Sequence, residues 1–293
     1  MPFVLTLIAA PDFVDFPGFV TTIRQELAST QEPVWLHPGQ AVDLPVAESE
    51  FAAAEARLKG QAVDYALQPS DARRRKLLIA DMDSTMIGQE CIDELAAEVG
   101  LKEKVSAITA AAMRGEIEFE PALRERVALL KGLPESVVDE VIQNRITLTP
   151  GGNVLVATMK QHGAYTALVS GGFTAFTRRI ASRIGFDENR ANTLNAKDGL
   201  LTGTVQEPIL GRQAKIEALE QITARLGTTP QQAIAVGDGA NDLGMIRLAG
   251  LGVAIHAKPA VAAEADVRIE HNDLSALLYL QGYARDEWVT EAG

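Results

Sequence analysis

The chain is 293 residues long, 47% hydrophobic, with a formal net charge of −12. That length accommodates one large or two moderate domains with a substantial core. The acidic balance argues against a general nucleic-acid binder, and no apolar run approaches the roughly 20 residues of a membrane span.

Residues 1–70 alternate as strand, helix, strand, strand, helix, strand. Strands are predicted at 4–8, 33–37, 41–46 and 63–67, and helices at 19–28 and 51–58. The opening residues are apolar but have no basic leader, so they read as a strand and not as a signal peptide. Pro38-Gly39 supplies the turn of a hairpin. This βαββαβ order is that of a small ferredoxin-like domain. Asp71-Ala72-Arg73-Arg74-Arg75 then reads as a charged, solvated linker.

From Lys76 the pattern becomes strand–helix alternation, with strands expected at 77–81, 165–170, 233–238, 252–255 and 267–269. A doubly wound, Rossmann-like parallel sheet follows from that alternation. Between the first two strands lies extra helical sequence, at 103–114, 121–131 and 134–144. Pro121 and Pro134 suit first turns, and Gly115 and Gly132 suit ends. An insertion there is placed to cover a site at the strand end as a cap. Residues 193–205, around Lys197-Asp198-Gly199, suggest a β-hairpin. The expected organisation is therefore an N-terminal domain at 1–70, a core at 71–90 plus 147–293, and a helical cap at 91–146.

Four motifs carry chemistry. Leu77-Leu78-Ile79-Ala80 ends in Asp81-Met82-Asp83-Ser84-Thr85, which puts two carboxylates at the mouth of a central strand. Two acids that close repel each other unless they share a cation or a proton. Asp81 is a candidate nucleophile toward phosphorus, and Asp83 a candidate acid and base. Ser170-Gly171-Gly172 ends the next strand and could form an anion cradle. Lys215 lies in a helix-like run and could neutralise a phosphate. Gly237-Asp238-Gly239-Ala240-Asn241-Asp242 offers hard oxygen ligands for Mg²⁺. Each has a plain structural reading when taken singly: a turn, a cap, a solvated lysine, a polar loop. The single cysteine, Cys91, excludes an intrachain disulfide, suits a reducing cytoplasm, and reads as a small buried residue.

In their order, D-M-D-S-T, S-G-G, a lysine and G-D-G-A-N-D resemble the haloacid dehalogenase-like (HAD) superfamily of phosphatases. Ser84-Thr85 after Asp83, Glu90, and the run Phe119 to Val127 (F-x-x-x-L-x-x-R-V) are similar to its phosphoserine phosphatase family. The resemblance covers about residues 76–285. It implies Mg²⁺-dependent hydrolysis of O-phospho-L-serine to L-serine and phosphate through an aspartyl phosphate, the last step of serine biosynthesis. It implies Asp81, Asp83 and Lys215 as catalytic groups, and Asp81, Asp83 and Asp238 around Mg²⁺ with Asp242 supporting them. It also implies that Glu90 holds the substrate ammonium and Arg126 its carboxylate. Met113 and Phe119 would close the pocket, and Ser170, Gly171 and Asn241 would complete the substrate contacts. Arg124 should point to another helix face. The N-terminal pattern is similar to an amino-acid-binding (ACT) domain, with sensing, structural and homodimer-forming roles all open. A phosphatase or phosphotransferase acting on another small phosphorylated amino acid or alcohol remains the alternative, as does a non-enzymatic sensor.

Overall fold

The structure is a computed structural model that describes residues 3–27, 29, 31–113 and 116–290, leaving out the side chains of Glu50, Ala53 and Met113. The expected helix ends at 28 and 114, and Gly115, lie outside the described residues. The N-terminal segment contains β1 (Phe3–Ala9), α1 (Phe16–Glu26), β2 (Val34–His37), β3 (Ala41–Val46), α2 (Phe51–Leu58) and β4 (Val63–Pro69). Its strands form an antiparallel sheet in the order β2-β3-β1-β4, the ferredoxin-like arrangement expected from the sequence. Successive β1 residues face opposite ways. Leu5, Leu7 and Ala9 pack with Phe16, Val20 and Ile23 of α1, whereas Ile8 joins the main core of the molecule.

The second part contains β5 (Leu77–Ala80), α3 (Cys91–Ala97), α4 (Lys102–Met113), α5 (Phe119–Ala128), α6 (Val137–Asn144) and α7 (Gly152–Gln161). It continues with β6 (Tyr165–Phe173), α8 (Thr174–Ile184), β7 (Glu188–Asn192), β8 (Leu194–Lys197), β9 (Leu200–Val205) and α9 (Arg212–Arg225). The last elements are β10 (Ala233–Gly237), α10 (Leu243–Leu248), β11 (Leu251–Ile255), α11 (Pro259–Ala262), β12 (Val267–Ile269) and α12 (Ala276–Leu280). A six-stranded parallel sheet runs β12-β11-β10-β5-β6-β7. Its central strands β5 and β10 are apolar on both faces because both are covered. Leu77 and Ile79 pack with Ala218, Leu219 and Ile222 of α9. Leu78 and Ala80 face the other side, with Leu155 and Met159 of α7 and Ile180 of α8.

The sequence expectation missed β7, whose residues Glu-Asn-Arg-Ala-Asn form a polar edge strand without an apolar run. It also started α6 too early. Pro134 precedes that helix and bridges Leu200 of the β8–β9 hairpin, so the hairpin packs against the α3–α6 insertion. A larger correction concerns the basic triplet at 73–75, which is not a solvated linker. Arg73 is half-buried and pairs with Asp43 at 2.6 Å, while its Nη2 donates to Thr6 Oγ1 and the Tyr279 carbonyl. Arg74 pairs with Glu287 and lies 4.1 Å over the Tyr283 ring. Arg75 donates to the Gln231 and Gly250 carbonyls. The reason is supply and demand. Carbonyls at the end of α12 and flanking β10 have acceptor capacity left over, and guanidinium groups carry several donors each. The sheets are also joined by Asp64 of β4, whose carboxylate accepts N–H groups from Glu270 (2.8 Å) and Asn272 (3.0 Å).

Candidate active site

β5 runs between β10 and β6, so its carboxyl end opens where the strand order reverses, the ligand-binding position of open α/β sheets. Asp81 follows directly. Its N–H still donates to the Val236 carbonyl (3.0 Å), so the carboxylate is set by the sheet itself. Residues Met82–Met86 then form a tight turn in which Ser84 takes φ +55°, a strained value for a residue with a Cβ. The Ser84 hydroxyl donates to Glu90 Oε1 at 2.7 Å, tying that turn to the residue just before α3.

Asp83 points elsewhere from Asp81. Its Oδ1 accepts the Cys91 N–H (2.8 Å) and its Oδ2 the Ser170 hydroxyl (3.1 Å). Burial raises its pKa, against the pull of the Cys91 N–H and the Ser170 hydroxyl. The Ser170-Gly171-Gly172 segment ends β6 in extended form, and α8 begins two residues later at Thr174. The Gly172 N–H is spent on Ser170 Oγ (2.8 Å). A Cβ at Gly172 would lie 2.8 Å from Asp83 Oδ2, which explains the glycine.

The loop after β10 brings the second acidic group. Thr85 Oγ1 donates to Asp238 Oδ1 at 3.1 Å and so links the two strand-end loops. Asp242, fully buried, accepts the Gly239 N–H at 3.0 Å. A Cβ at Gly237 would overlap the Asp242 carboxylate, so this turn requires glycine. Lys215, in the first turn of α9, is 2% exposed, and its Nζ lies 2.5 Å from both Asp81 Oδ1 and Asp242 Oδ1. Burial works against its charge, but Asp242 and Asp81 overcome that and hold the ammonium well above the ordinary lysine range. Burial and Asp242 raise the Asp81 pKa well above the carboxylate range, and push Asp238 up to about 6.

Asp81, Asp238 and Asp242 each offer a ligand oxygen, all within 4.8 Å of one another. Three carboxylates against one ammonium leave negative charge in excess, and Asp81 Oδ1 receives no hydrogen bond of acceptable geometry. An ion ~2.1 Å from each oxygen spans at most about 4.2 Å, so small side-chain rotations complete a site for a hard divalent cation. Asp83, expected among the ligands, is outside this group. Asp242, expected behind it, is within.

A cavity of about 240 Å³ opens over these groups, lined by Asp81, Asp83, Asp238, Ser170, Gly171 and Asn241 from the strand-end loops. Glu90, Phe119 and Arg126 line it from the α3–α5 insertion. Glu90 is pushed up to about 7 by burial and by Asp83. Arg126 is buried, donates from Nε to the Ala122 carbonyl (3.0 Å) and from Nη1 to Thr109 Oγ1 (2.9 Å). Arg124 instead pairs with Glu120 and Glu207 at the surface, as the helix geometry requires. The Met113 side chain lies outside the described residues. Cys91 is buried, and burial pushes its thiol well above the ordinary range.

The pairings of several contributors were not visible in the sequence. Thr85 and Thr109 are hydroxyls whose partners are far away in the chain. Asn192 clamps the Gly171 carbonyl (2.9 Å) and the Leu210 N–H (2.7 Å), fixing the loop before α9. Arg212, an exposed cation at the first position of α9, also lines the cavity. Among the described residues no helix is long and apolar enough to cross a membrane.

The model of the haloacid dehalogenase-like hydrolases matches residues 78–247. A phosphoserine phosphatase of Albidiferax ferrireducens is 51% identical over 210 residues, covering 70% of this chain and 89% of the relative. Among solved structures, a HAD family hydrolase of Salmonella enterica serovar Typhi superposes with a TM-score of 0.84 at 30% identity, covering 98% of this chain and 99% of the other. A substrate-bound phosphoserine phosphatase superposes with a TM-score of 0.66 at 44% identity, covering 70% of this chain and 97% of the other. The span of the first match, together with the identity and coverage of the second, places the chain: it belongs to the haloacid dehalogenase-like hydrolase family.

Proposed function

We propose that this chain is a phosphatase that hydrolyses O-phospho-L-serine to L-serine and phosphate through an aspartyl phosphate on Asp81. One observation carries the reading. The cavity joins an acid–lysine centre at one end to a half-buried carboxylate, Glu90, and a buried guanidinium, Arg126, on the insertion. Those two charges complement the ammonium and carboxylate of an amino acid, and the centre suits a phosphoryl group. The identity to phosphoserine phosphatases supports the same reading.

Asp81 attacks phosphorus, and the serine oxygen leaves as Asp83 delivers a proton to it. Asp83 is placed for that transfer by its bonds to the Cys91 N–H and the Ser170 hydroxyl, which aim it away from Asp81. Asp83 then takes a proton from the water that opens the aspartyl phosphate. Lys215 holds Asp81 in place and offsets charge on the phosphoryl oxygens, the main task in phosphoryl transfer. Ser170 and the Gly171 segment cradle those oxygens, with Asn241 beside them. Phe119 and the neighbouring cap helices exclude bulk water. Asp81, Asp238 and Asp242 are the residues that would hold Mg²⁺, which when bound would supply further neutralisation of the phosphoryl charge.

A substrate panel tests this. Phosphate release in Mg²⁺ should favour phosphoserine over phosphothreonine, phosphohomoserine and p-nitrophenyl phosphate in kcat/KM. Equal efficiency across the panel, or transfer to an alcohol in preference to water, would replace the reading with that of a broader phosphatase or phosphotransferase.

A further inference from the structure

The guanidinium of Arg126 is held by more than its own helix. Thr109 Oγ1, on α4, accepts from Arg126 Nη1 at 2.9 Å. The same oxygen lies 3.1 Å from Asp93 Oδ1 on α3 and 3.1 Å from the Val105 carbonyl of its own helix. Its single proton is shared between those two acceptors, and the charged carboxylate is the stronger one. The other oxygen of Asp93, Oδ2, accepts from Ser106 at 2.5 Å. Asp93 therefore pins α4 to α3 through two hydroxyls one helical turn apart, and Thr109 passes that constraint to α5.

We propose that Asp93 and Thr109 form a positioning relay that sets the orientation of Arg126, and through it the discrimination of an amino-acid carboxylate. Neither residue touches the phosphoryl centre described above. A buried cation needs a nearby countercharge, and its planar fork must be aimed if it is to grip a carboxylate with two parallel bonds. The relay meets both needs. It has the right polarity: Arg126 donates to the hydroxyl, and the hydroxyl donates to the carboxylate. It also ties the guanidinium to α3, the helix that starts immediately after Glu90, so the two charges that read the amino-acid end share one scaffold. Ordinary helix packing does not require this chain, since Thr109 could satisfy its hydroxyl on Val105 alone.

The inference rests on the reading of Arg126 as the carboxylate contact, and the test separates the two. Thr109→Val keeps the shape and removes the hydroxyl. The ratio of kcat/KM for phosphoserine to kcat/KM for p-nitrophenyl phosphate, which has no amino-acid end, should fall about tenfold, through KM rather than kcat. Thr109→Ser should restore it. Placed on Arg126→Ala, Thr109→Val should change the ratio no further. An unchanged ratio in Thr109→Val, or an additive loss on the Arg126→Ala background, overturns the relay. If Arg126→Ala itself leaves the ratio alone, the carboxylate reading fails and the relay falls with it. Should Thr109→Val not fold, Asp93→Asn keeps the side-chain size but removes the charge and turns one of the two acceptor oxygens into an NH2 donor, and the same fall in the ratio is expected; no fall overturns the proposal.

Discussion

Arg126→Ala is the most informative single substitution for substrate choice. The side chain is 6% exposed, with one N–H spent on the Ala122 carbonyl and one on Thr109. Its remaining donors are those that can reach a substrate carboxylate. Removing one partner of a buried, hydrogen-bonded charge pair costs about 3–5 kcal/mol. That corresponds to a loss of about 10²- to 10³-fold or more in kcat/KM for phosphoserine. p-Nitrophenyl phosphate has no carboxylate and loses only the packing and ordering that Arg126 gives the cavity, about tenfold or less. Arg126→Lys keeps the charge but not the fork and should fall between wild type and alanine. The assay is steady-state phosphate release from both substrates at saturating Mg²⁺, with a thermal melt of each variant. Equal losses on the two substrates would refute the assignment of Arg126 to the amino-acid end.

Two further outcomes follow from the acidic centre. Lys215→Met leaves Asp81 and Asp242 facing each other without a cation, so the metal-free variant should lose about 3–5 kcal/mol of stability, and added Mg²⁺ should recover part of it in a thermal melt. An unchanged melting temperature in chelator would contradict the ion-pair geometry. The pH dependence has the sign opposite to that of ordinary surface carboxylates. Asp238 and Glu90 titrate at about 6 and about 7 in the fold, above their ordinary values of 3.8 and 4.5. Between pH 5 and 7 the native state therefore binds more protons than the unfolded chain, and stability in chelator falls as pH rises. Asp238 alone contributes roughly 1 kcal/mol between pH 5 and 6. Chemical denaturation across that range reads it directly, and stability that rises from pH 5 to 7 would refute it.

Much of the core was legible because its physics is local. A fully buried parallel strand must be a short apolar run, so Leu77-Leu78-Ile79-Ala80 announced itself, and the carboxylate after it was placed by chain direction alone. The glycines at 171, 172 and 237 were visible as turn signals, but their reason was not. Two of them leave room for Asp83 and Asp242, acids distant in the sequence or folded back from the next turn. What the sequence hid was tertiary polar pairing. Nothing near Arg73 says that Asp43 and the end of α12 will surround it, and nothing near Thr109 says that it will join Asp93 to Arg126. The strand β7 escaped for a related reason. An edge strand can be polar, so Glu188-Asn189-Arg190-Ala191-Asn192 lacks the pattern that marks its neighbours.

The claim on which the account turns is that Asp81 itself carries the phosphoryl group. Acid quenching during turnover of phosphoserine labelled on phosphorus should trap label covalently on the protein, in the peptide containing Asp81, sensitive to hydroxylamine and absent from Asp81→Asn. Label retained by the Asp81→Asn protein, or turnover at full rate with no labelled protein at any quench time, would contradict it.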